Sequence, residues 1–408
     1  MQHHRFLFLE SFFGGSHRAF AEGLVEHSRH RIDLLTLPAE NWRWRTRAAA
    51  LQFVDRLAEE RAAPRPTTHP HARPLHLEEY DGIIATDLLT LADFRALVAG
   101  PPILLYVHES QITYPLPKGM SLDAATAFVD IRNVLMADRT LFNSHFHRRR
   151  FLEVAAEALE GAPSPELRDI GDSIDARAGV LHPGCSLERL LAGPRGAGAG
   201  VRGAAGDAGA AGDTADAAGG AGAAGDADAG PLIIWNHRWE YDKNPAPFFR
   251  TLERLSSEGW EFRLALLGEN PQYHPKEFEA AHASLEKRIV QYGYLDDREA
   301  YEQLLLAGDI VVSTSVQENF GISVVEAVAA GCLPLLPRRL SYPEVIPSEY
   351  HETCLYDSNR ELVSMLRRFM RDGVPSTAGL RDAMQRYGWS NLGPAYDREL
   401  EALAQTGS

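Results

Sequence analysis

Short apolar runs alternate with amphipathic stretches along nearly the whole chain. In the first half, RFLFLES, RIDLLTL, DGIIAT, ILLYVH, RTLFNS and AGVLHPG read as buried strands. Between them, HRAFAEGLVEHS, LADFRALVAG and DAATAFVDIRNVLMA carry helical patterns. In the second half the strand role falls to PLIIWNH, FRLALLGE, RIVQYGY, DIVVSTS and CLPLLP. Helices are expected at about 245–258, 297–307 and 321–330, with more from 359 onward. Strands alternating with helices build βαβ units and parallel sheets. The expectation is therefore an α/β protein of two doubly wound, Rossmann-like domains facing each other across a central cleft. Ligands of such sheets bind beyond the carboxyl ends of the strands. The chain shows no internal repeat and no heptads.

One segment departs from this pattern. From Gly193 to Gly230 the chain reads GPRGAGAGVRGAAGDAGAAGDTADAAGGAGAAGDADAG. It has almost no side chain large enough to pack, so burial cannot offset the entropy of ordering it. Helix is the ordinary reading of alanine-rich sequence, but the glycines recur too often. A disordered linker or insertion over 193–230 is expected, between an N-terminal domain at 1–192 and a C-terminal domain at 231–388. A last helix over 389–408 is expected to pack back on the N-terminal domain.

The totals narrow the class. A chain of 408 residues is too long for one core, which fits two domains. No apolar run approaches the roughly 20 residues needed to cross a bilayer, so no membrane insertion is expected. The N-terminal MQHHRFLFLESFFGG is apolar in part, but Glu10 interrupts it and no small-residue cleavage site follows, which argues against a signal peptide. Cys185, Cys332 and Cys354 are far apart and form no CxxC pair. That fits a reducing cytoplasm and argues against a structural zinc site. The net charge of −15 is not that of a general nucleic-acid coat, so any nucleic acid must be gripped by a local patch.

Candidate chemistry sits where strands end. FLFLESFFGGSHRAF runs from strand through Gly14 and Gly15 into a helix opened by Ser16. Backbone N–H groups there can approach an anion at a helix N-terminus, although a tight βα turn accounts for the glycines equally well. The pattern is neither a G-x-G-x-x-G fingerprint nor a Walker loop. LLYVHESQITYP closes a strand with His108, which can donate to a substrate or steer a hydroxyl, or serve only a structural hydrogen bond. IIWNHRWEYDKNPAPFF places Arg238 and Lys243 before a proline-marked helix. Two cations there suit a diphosphate, whose negative charge grows as it leaves; a basic surface loop is the plainer reading.

The stretch SVQENFGISVVEAVAAGC holds Glu318 in a loop after the strand DIVVSTS and Glu326 in the following helix. A carboxylate pairs well with vicinal hydroxyls by accepting two O–H donors. Backbone N–H groups from Asn319 through Gly321 and Ile322 to Ser323 stand at the helix start, ready for phosphate or sugar oxygens. A nucleotide-sugar site follows, with one glutamate on the sugar and the other on the ribose.

This Glu-x7-Glu, with the Arg238/Lys243 loop and the Gly14–Gly15 turn, resembles the family-4 retaining glycosyltransferases of the GT-B fold. A closer likeness lies in ESFFGGSHRAFAEGLVEHSRHRIDLLTLPAENWRWRTRAAAL, YVHESQITYP, FNSHFHRRRFL, WNHRWEYDKNP and STSVQENFGISVVEAVAAGCLPLLPRRLSYPEVIP. These blocks are similar to the tRNA-queuosine α-mannosyltransferase family, and the likeness spans nearly the whole chain apart from the Gly/Ala-rich insertion. Gln317 and Asn319 stand where the family pattern carries histidine and phenylalanine, a difference that bears on donor-sugar choice.

The resemblance implies GDP-mannose as the nucleotide-sugar co-substrate and queuosine in the anticodon loop of a tRNA, tRNA-Asp in particular, as acceptor. It implies that the N-terminal domain binds the acceptor and the C-terminal domain the nucleotide sugar. It also implies that Arg238, Lys243, Gly14 and Gly15 serve the diphosphate, Glu318 and His108 the reacting sugar, and Glu326 the ribose. Asn319, Gly321 and Ile322 belong to the same donor site. No metal or other cofactor is expected, because cations and backbone dipoles can stabilise the leaving diphosphate.

An RNA acceptor needs basic or aromatic surface. RHRIDLL and ENWRWRTRAA offer Arg29, Arg31, Trp42, Arg43, Trp44, Arg45 and Arg47, and SHFHRRRF offers Arg148, Arg149 and Arg150. Tryptophan and arginine planes can stack on splayed bases. The alternative is that Trp42 and Trp44 pack on an amphipathic helix whose arginines are a solvated face. Two other readings of the whole stay open: a GT-B glycosyltransferase acting on a glycan, lipid or small molecule, and an inactive binding protein of the same fold.

Overall fold

The computed structural model describes residues 3–62, 76–115, 124–160, 170–194, 230–268 and 276–406. The expected linker, apart from its ends, lies outside the described residues. The chain divides into two compact units. The first comprises Met1–Ser186, Glu318–Ile322 and Arg386–Ser408; the second comprises Leu187–Gln317 and Ser323–Gln385.

The first unit is built on strands β1 (Arg5–Phe13), β2 (Arg31–Pro38), β3 (Gly82–Thr86), β4 (Ile103–Val107), β5 (Arg139–Phe142) and β6 (Ala178–Val180). They lie in the order β2-β1-β3-β4-β5-β6, all parallel. The connecting helices are α1 (Gly15–His27), α2 (Trp42–Ala62), α3 (Leu91–Leu97), α4 (Ala124–Met136), α5 (His145–Glu160) and α6 (Ile170–Arg177). β3 and β4 are apolar and buried throughout, as a parallel sheet covered on both faces requires. One face packs Leu7, Leu9, Ile83, Leu105 and Phe142 against Phe53, Phe94 and Phe151 of the helices. The other packs Phe6, Phe8, Tyr106 and Leu141 against Phe20 of α1 and Trp389, Tyr396 and Leu400.

The second unit has strands β7 (Leu232–Asn236), β8 (Arg263–Leu267), β9 (Ile289–Gly293), β10 (Ile310–Val312), β11 (Leu333–Pro337) and β12 (Leu355–Tyr356), in the order β12-β11-β10-β7-β8-β9. Its helices are α7 (Glu188–Ala192), α8 (Pro245–Ser257), α9 (Lys276–Leu285), α10 (Arg298–Ala307), α11 (Ile322–Ala330), α12 (Tyr342–Val345), α13 (His351–Cys354), α14 (Asn359–Asp372) and α15 (Ala378–Met384). The first residue of α11 groups with the first unit. The last helix, α16 (Trp389–Thr406), belongs to the first unit and packs on α1.

Each sheet has one place where the strand order turns back on itself, between β1 and β3 in the first and between β7 and β10 in the second. Crevices for ligands form at such switch points. Among the described residues no helix is long and apolar enough to cross a membrane.

Candidate active site

At the switch point of the first unit, β1 ends at Glu10 to Phe13 and turns through Gly14 into α1. A Cβ on Gly14 would come within 2.4 Å of Ala39 Cβ, and Gly15 takes the left-handed φ of +52°. Glycine is needed at both positions, at the first for packing and at the second for conformation. The two glycines therefore have a structural reason whatever they bind.

Beside this turn lies a polar cluster inside an apolar sheet. Glu10 is completely buried, and its carboxylate accepts hydrogen bonds from Phe12 N at 2.8 Å and Thr86 Oγ1 at 3.1 Å. His17 Nδ1, in the first turn of α1, lies 3.3 Å from both of its oxygens. The His17 ring packs on His108 with centroids 4.2 Å apart. His108 follows the last residue of β4, and its backbone is pinned from several sides. Its N–H donates to Asp87 at 2.9 Å, and its carbonyl accepts from Asn143 at 2.8 Å and Asn319 at 3.3 Å.

Burial lowers the His17 pKa, but the charge and hydrogen bond of Glu10 outweigh it and raise the group to about 9. Burial first, then the His17 charge and the neighbouring His147, hold His108 well below the ordinary histidine range. Burial pushes Asp87 up to about 7 and Asp130 up to about 7. His147 is neutral, brought down to about 3 by burial, and bridges Asn143 and Ser110 with two bonds of 2.9 Å. The His108 backbone is thus held at both its N–H and its carbonyl.

The segment Glu318–Ile322 belongs by its contacts to this unit. Ser144 Oγ donates to the Asn319 carbonyl, Asn319 is buried, and Glu318 is half-buried. Gly321 has φ +97°, a value that frees the chain to turn into α11.

In the second unit, the loop after β7 and the loop after β10 are tied together. The backbone N–H groups of Val316 and Gln317 donate to the Asp242 carbonyl at 2.8 and 3.3 Å. Lys243 is buried, and its Nζ donates to the Gln317 carbonyl at 2.9 Å and lies 3.3 Å from the Asp242 carboxylate. Asn244, left-handed at φ +51°, caps α8 ahead of Pro245 and donates to the Thr314 carbonyl. The sequence reading treats Arg238 and Lys243 as a pair of like cations. The structure separates them: Lys243 is an enclosed ammonium braced by a carboxylate, whereas Arg238 is exposed and pairs with Glu240 at 3.3 Å.

Glu326, on α11, is buried. Its carboxylate is 2.8 Å from Arg298 Nη1 and accepts from Tyr301 Oη at 2.9 Å. Both partners come from α10. Asn236, the last residue of β7, donates to Tyr301 Oη at 3.3 Å and to the Ser323 carbonyl at 2.7 Å. A helix carboxylate in apolar surroundings is kept in place here by a fixed set of donors.

The basic patches divide in the same way. Trp42 and Trp44 are both exposed, so they do not pack into the core. Arg43 stacks over Trp42 at 4.8 Å and is exposed, as is Arg47. Arg45 donates to the Pro38 carbonyl and to Gln52. Arg148 is used within the fold, donating to the Ala178 carbonyl and pairing with Asp175, while Arg149 and Arg150 flank Glu153. Arg29 pairs with Asp397 and Glu401, and Arg31 with Asp33.

Glu10, His17, Asp87, Asp242, Arg298 and Tyr301 surround the candidate residues, and motif reading alone passes over them. Glu10 left a signal, because a carboxylate within a strand-long apolar run demands partners.

Two parallel six-stranded sheets covered by helices are the architecture of the GT-B fold. Solved structures share the fold. An Anabaena HepE structure in complex with UDP and glucose superposes with a TM-score of 0.62 at 15% identity, over 98% of this chain and 100% of that one. A sucrose-phosphate synthase from Thermosynechococcus elongatus gives 0.68 at 13% identity, over 99% and 100%. The family model for glycosyl transferases group 1 matches residues 224–389, and that for the tRNA-queuosine alpha-mannosyltransferase N-terminal region matches residues 5–185. A tRNA-queuosine alpha-mannosyltransferase of Drosophila melanogaster is 32% identical over 370 residues, 90% of this chain and 86% of that protein. A 2-deoxystreptamine glucosyltransferase of Streptomyces kanamyceticus is 31% identical over 104 residues, 26% of this chain and 27% of that protein. The chain belongs to the tRNA-queuosine alpha-mannosyltransferase family, and it is a glycosyltransferase.

Proposed function

We propose that this protein transfers mannose from GDP-mannose, with retention, to a cyclopentene hydroxyl of queuosine in the anticodon loop of a tRNA, tRNA-Asp among them. The observation that carries the reading is the 32% identity over 90% of the chain to the Drosophila protein described as a tRNA-queuosine alpha-mannosyltransferase.

In the reaction the bond between the sugar C1 and the diphosphate oxygen breaks, and a bond from C1 to the acceptor oxygen forms on the same face. The acceptor proton passes to the departing diphosphate, so GDP leaves and no protein nucleophile is required. Lys243 and Arg238 neutralise the charge that grows on the diphosphate. Enclosure strengthens the Lys243 contribution, because burial reduces screening. Backbone amides at Gly14 and Gly15, and from Asn319 through Gly321 and Ile322 at the start of α11, add donors without a metal. Glu318 accepts from sugar hydroxyls, Glu326 from the ribose, and His108 sits at the reacting centre.

Exposed Trp44 with Arg43 and Arg47 supports an RNA-facing surface on α2: the aromatic plane for a splayed base and the guanidinium groups for phosphates. Arg45 on the same helix and Arg149 and Arg150 on α5 are further candidates; Arg148 serves the fold first. The acceptor places the enzyme with tRNA in the cytoplasm. Incubating the protein with queuosine-containing and queuosine-lacking tRNA and a panel of sugar nucleotides, then weighing the released nucleosides, tests the reading. A hexose gained by queuosine from GDP-mannose alone supports it; no gain with any donor removes it.

A further inference from the structure

We propose that Glu10 and His17 form a buried carboxylate–imidazolium pair that positions His108 and keeps its ring neutral for contact with the sugar donor, which makes both of them positioning residues for the transfer. The inference rests on the assignment of His108 to the reacting centre.

The geometry carries it. Glu10 has no exposed surface, and a buried carboxylate must be fully partnered. It has three partners: Phe12 N, Thr86 Oγ1 and His17 Nδ1. The imidazole that completes the set lies against His108 at 4.2 Å between centroids. Two largely enclosed imidazoles this close repel each other if both become imidazolium. The one bonded to Glu10 takes the proton. His108 Nε2 is enclosed with no hydrogen-bond partner among the described residues, as suits a neutral ring. A neutral ring keeps one N–H and one lone pair for hydroxyls, and it adds no positive charge where the sugar becomes cationic as its leaving group departs.

The titratable groups facing His17 are Glu10 on β1, Asp87 after β3, and His108 and Glu109 after β4. His147 on α5 faces His108 from the other side. The rise of His17 to about 9 and the fall of His108 agree in direction with the geometry. Glu10, His17 and His108 also bring ligand atoms within 4.8 Å of one another, as a divalent cation would need, but the cation and the His17 proton compete for one lone pair.

The test is a histidine NMR titration of the full-length protein with His17→Gln, Glu10→Gln and His108→Gln for assignment, beside metal analysis of the purified chain. In wild type the His17 signal is expected to titrate near 9 and the His108 signal to titrate well below the ordinary histidine value. In His17→Gln, His108 is expected to gain its proton at higher pH than in wild type, while burial and His147 still hold it below the ordinary histidine value. Turnover is expected to fall about 10-fold to 100-fold with donor KM changed less than about threefold, and the rate profile to acquire an acid limb. Asp87→Asn, run in parallel, removes the carboxyl that titrates near 7 and separates its limb from that of His108.

A His17 midpoint at or below about 6.5 in wild type overturns the proposal. So do a His17→Gln rate profile that superposes on wild type, and stoichiometric metal that is lost in that variant. Because the titration is read in the folded protein without substrate, it decides the pair even if queuosine is not the acceptor.

Discussion

Arg298 Nη1 stands 2.8 Å from a Glu326 oxygen, and Tyr301 Oη donates to the other at 2.9 Å. α10 therefore holds the Glu326 carboxylate in one orientation, set in advance for the proposed ribose contact. Burial opposes the Arg298 charge, but Glu326 and Glu302 more than compensate and raise its pKa further. With Arg298→Met the carboxylate keeps only the tyrosine. Donor KM is expected to rise about 10-fold, the effect of loosening one charge-assisted contact, with turnover changed little. Glu326→Gln should raise KM at least as much. Steady-state kinetics over donor concentration checks both; an unchanged KM in Arg298→Met would show that the pair is only structural.

Lys243 differs from Arg238 in a way that kinetics can read. The enclosed ammonium is braced by Asp242 and the Gln317 carbonyl, so its position is set in advance. Lys243→Met is expected to cost about 10²-fold to 10³-fold in kcat, the scale of losing one preorganised donor to a developing anion. Arg238→Met, at an exposed site, should cost much less and lose its effect as salt rises. Removing the lysine also leaves Asp242 buried beside no cation, so a melting curve must accompany the assay. Lys243→Met with Asp242→Asn is expected to restore stability and not turnover.

The Glu10–His17 pair predicts the pH dependence of stability. His17 titrates near 9 in the fold and near the ordinary histidine value unfolded, so its stabilisation is complete below about pH 6.5 and is lost as pH rises through 9. Asp87 and Asp130, raised to about 7, act in the lower window: their burial costs stability between the ordinary carboxylate range and 7, then no further. Melting temperature should therefore fall between pH 7 and 10 in wild type, and fall less in His17→Gln. Parallel curves for the two proteins would refute the pairing.

Much of this was legible in the sequence, for a physical reason. A strand of a parallel sheet is buried on both faces, so each run such as DGIIAT, ILLYVH or PLIIWNH stands out between polar turns. β12, two residues at a sheet edge, is too short to leave a pattern. α5 begins in SHFHRRRF, where the basic run draws attention to surface and hides the helix; there Arg148 proves to tie α5 to β6. Glu318, Arg238 and Lys243 fall in loops after strands and Glu326 in the helix that follows, and all four are visible as motifs. Their partners are not, because Arg298 and Tyr301 meet Glu326 only through the winding of the sheet, and His17 meets His108 only because β1 and β4 end on the same edge. Sequence spacing carries local geometry; the order of the strands carries the rest.

Trp389 opens α16 and fills the space left by two glycines. A Cβ on Gly23 or on Gly184 would come within 2.2 Å of its ring. Gly184→Ala is expected to destabilise the protein by about 1–3 kcal/mol through overpacking, and Trp389→Ala by about 3–5 kcal/mol through the lost core ring. In the double variant the alanine occupies space the ring has left, so the combined loss should be smaller than the sum. Denaturant unfolding of the four proteins measures that difference; strict additivity would mean that Gly184 and Trp389 do not share one packing unit.

Trp44 is 68% exposed on a helix whose first turns carry no acidic residue. Arg43, Arg45 and Arg47 at the N-terminal end of α2 work against its macrodipole, which favours anions there, so an RNA phosphate would relieve the mismatch. Trp44→Ala is expected to weaken tRNA binding by about 10-fold to 100-fold, the scale of one lost base stack, with little change in the salt dependence. Arg43→Ala and Arg47→Ala should each lower the slope of log K against log salt by about one, whatever the tRNA sequence. Arg148→Ala should lower stability instead, because its guanidinium holds α5 to the Ala178 carbonyl. Fluorescence anisotropy with labelled tRNA at several salt concentrations separates these outcomes. If Trp44→Ala binds tRNA as wild type does, the acceptor surface lies elsewhere on the protein.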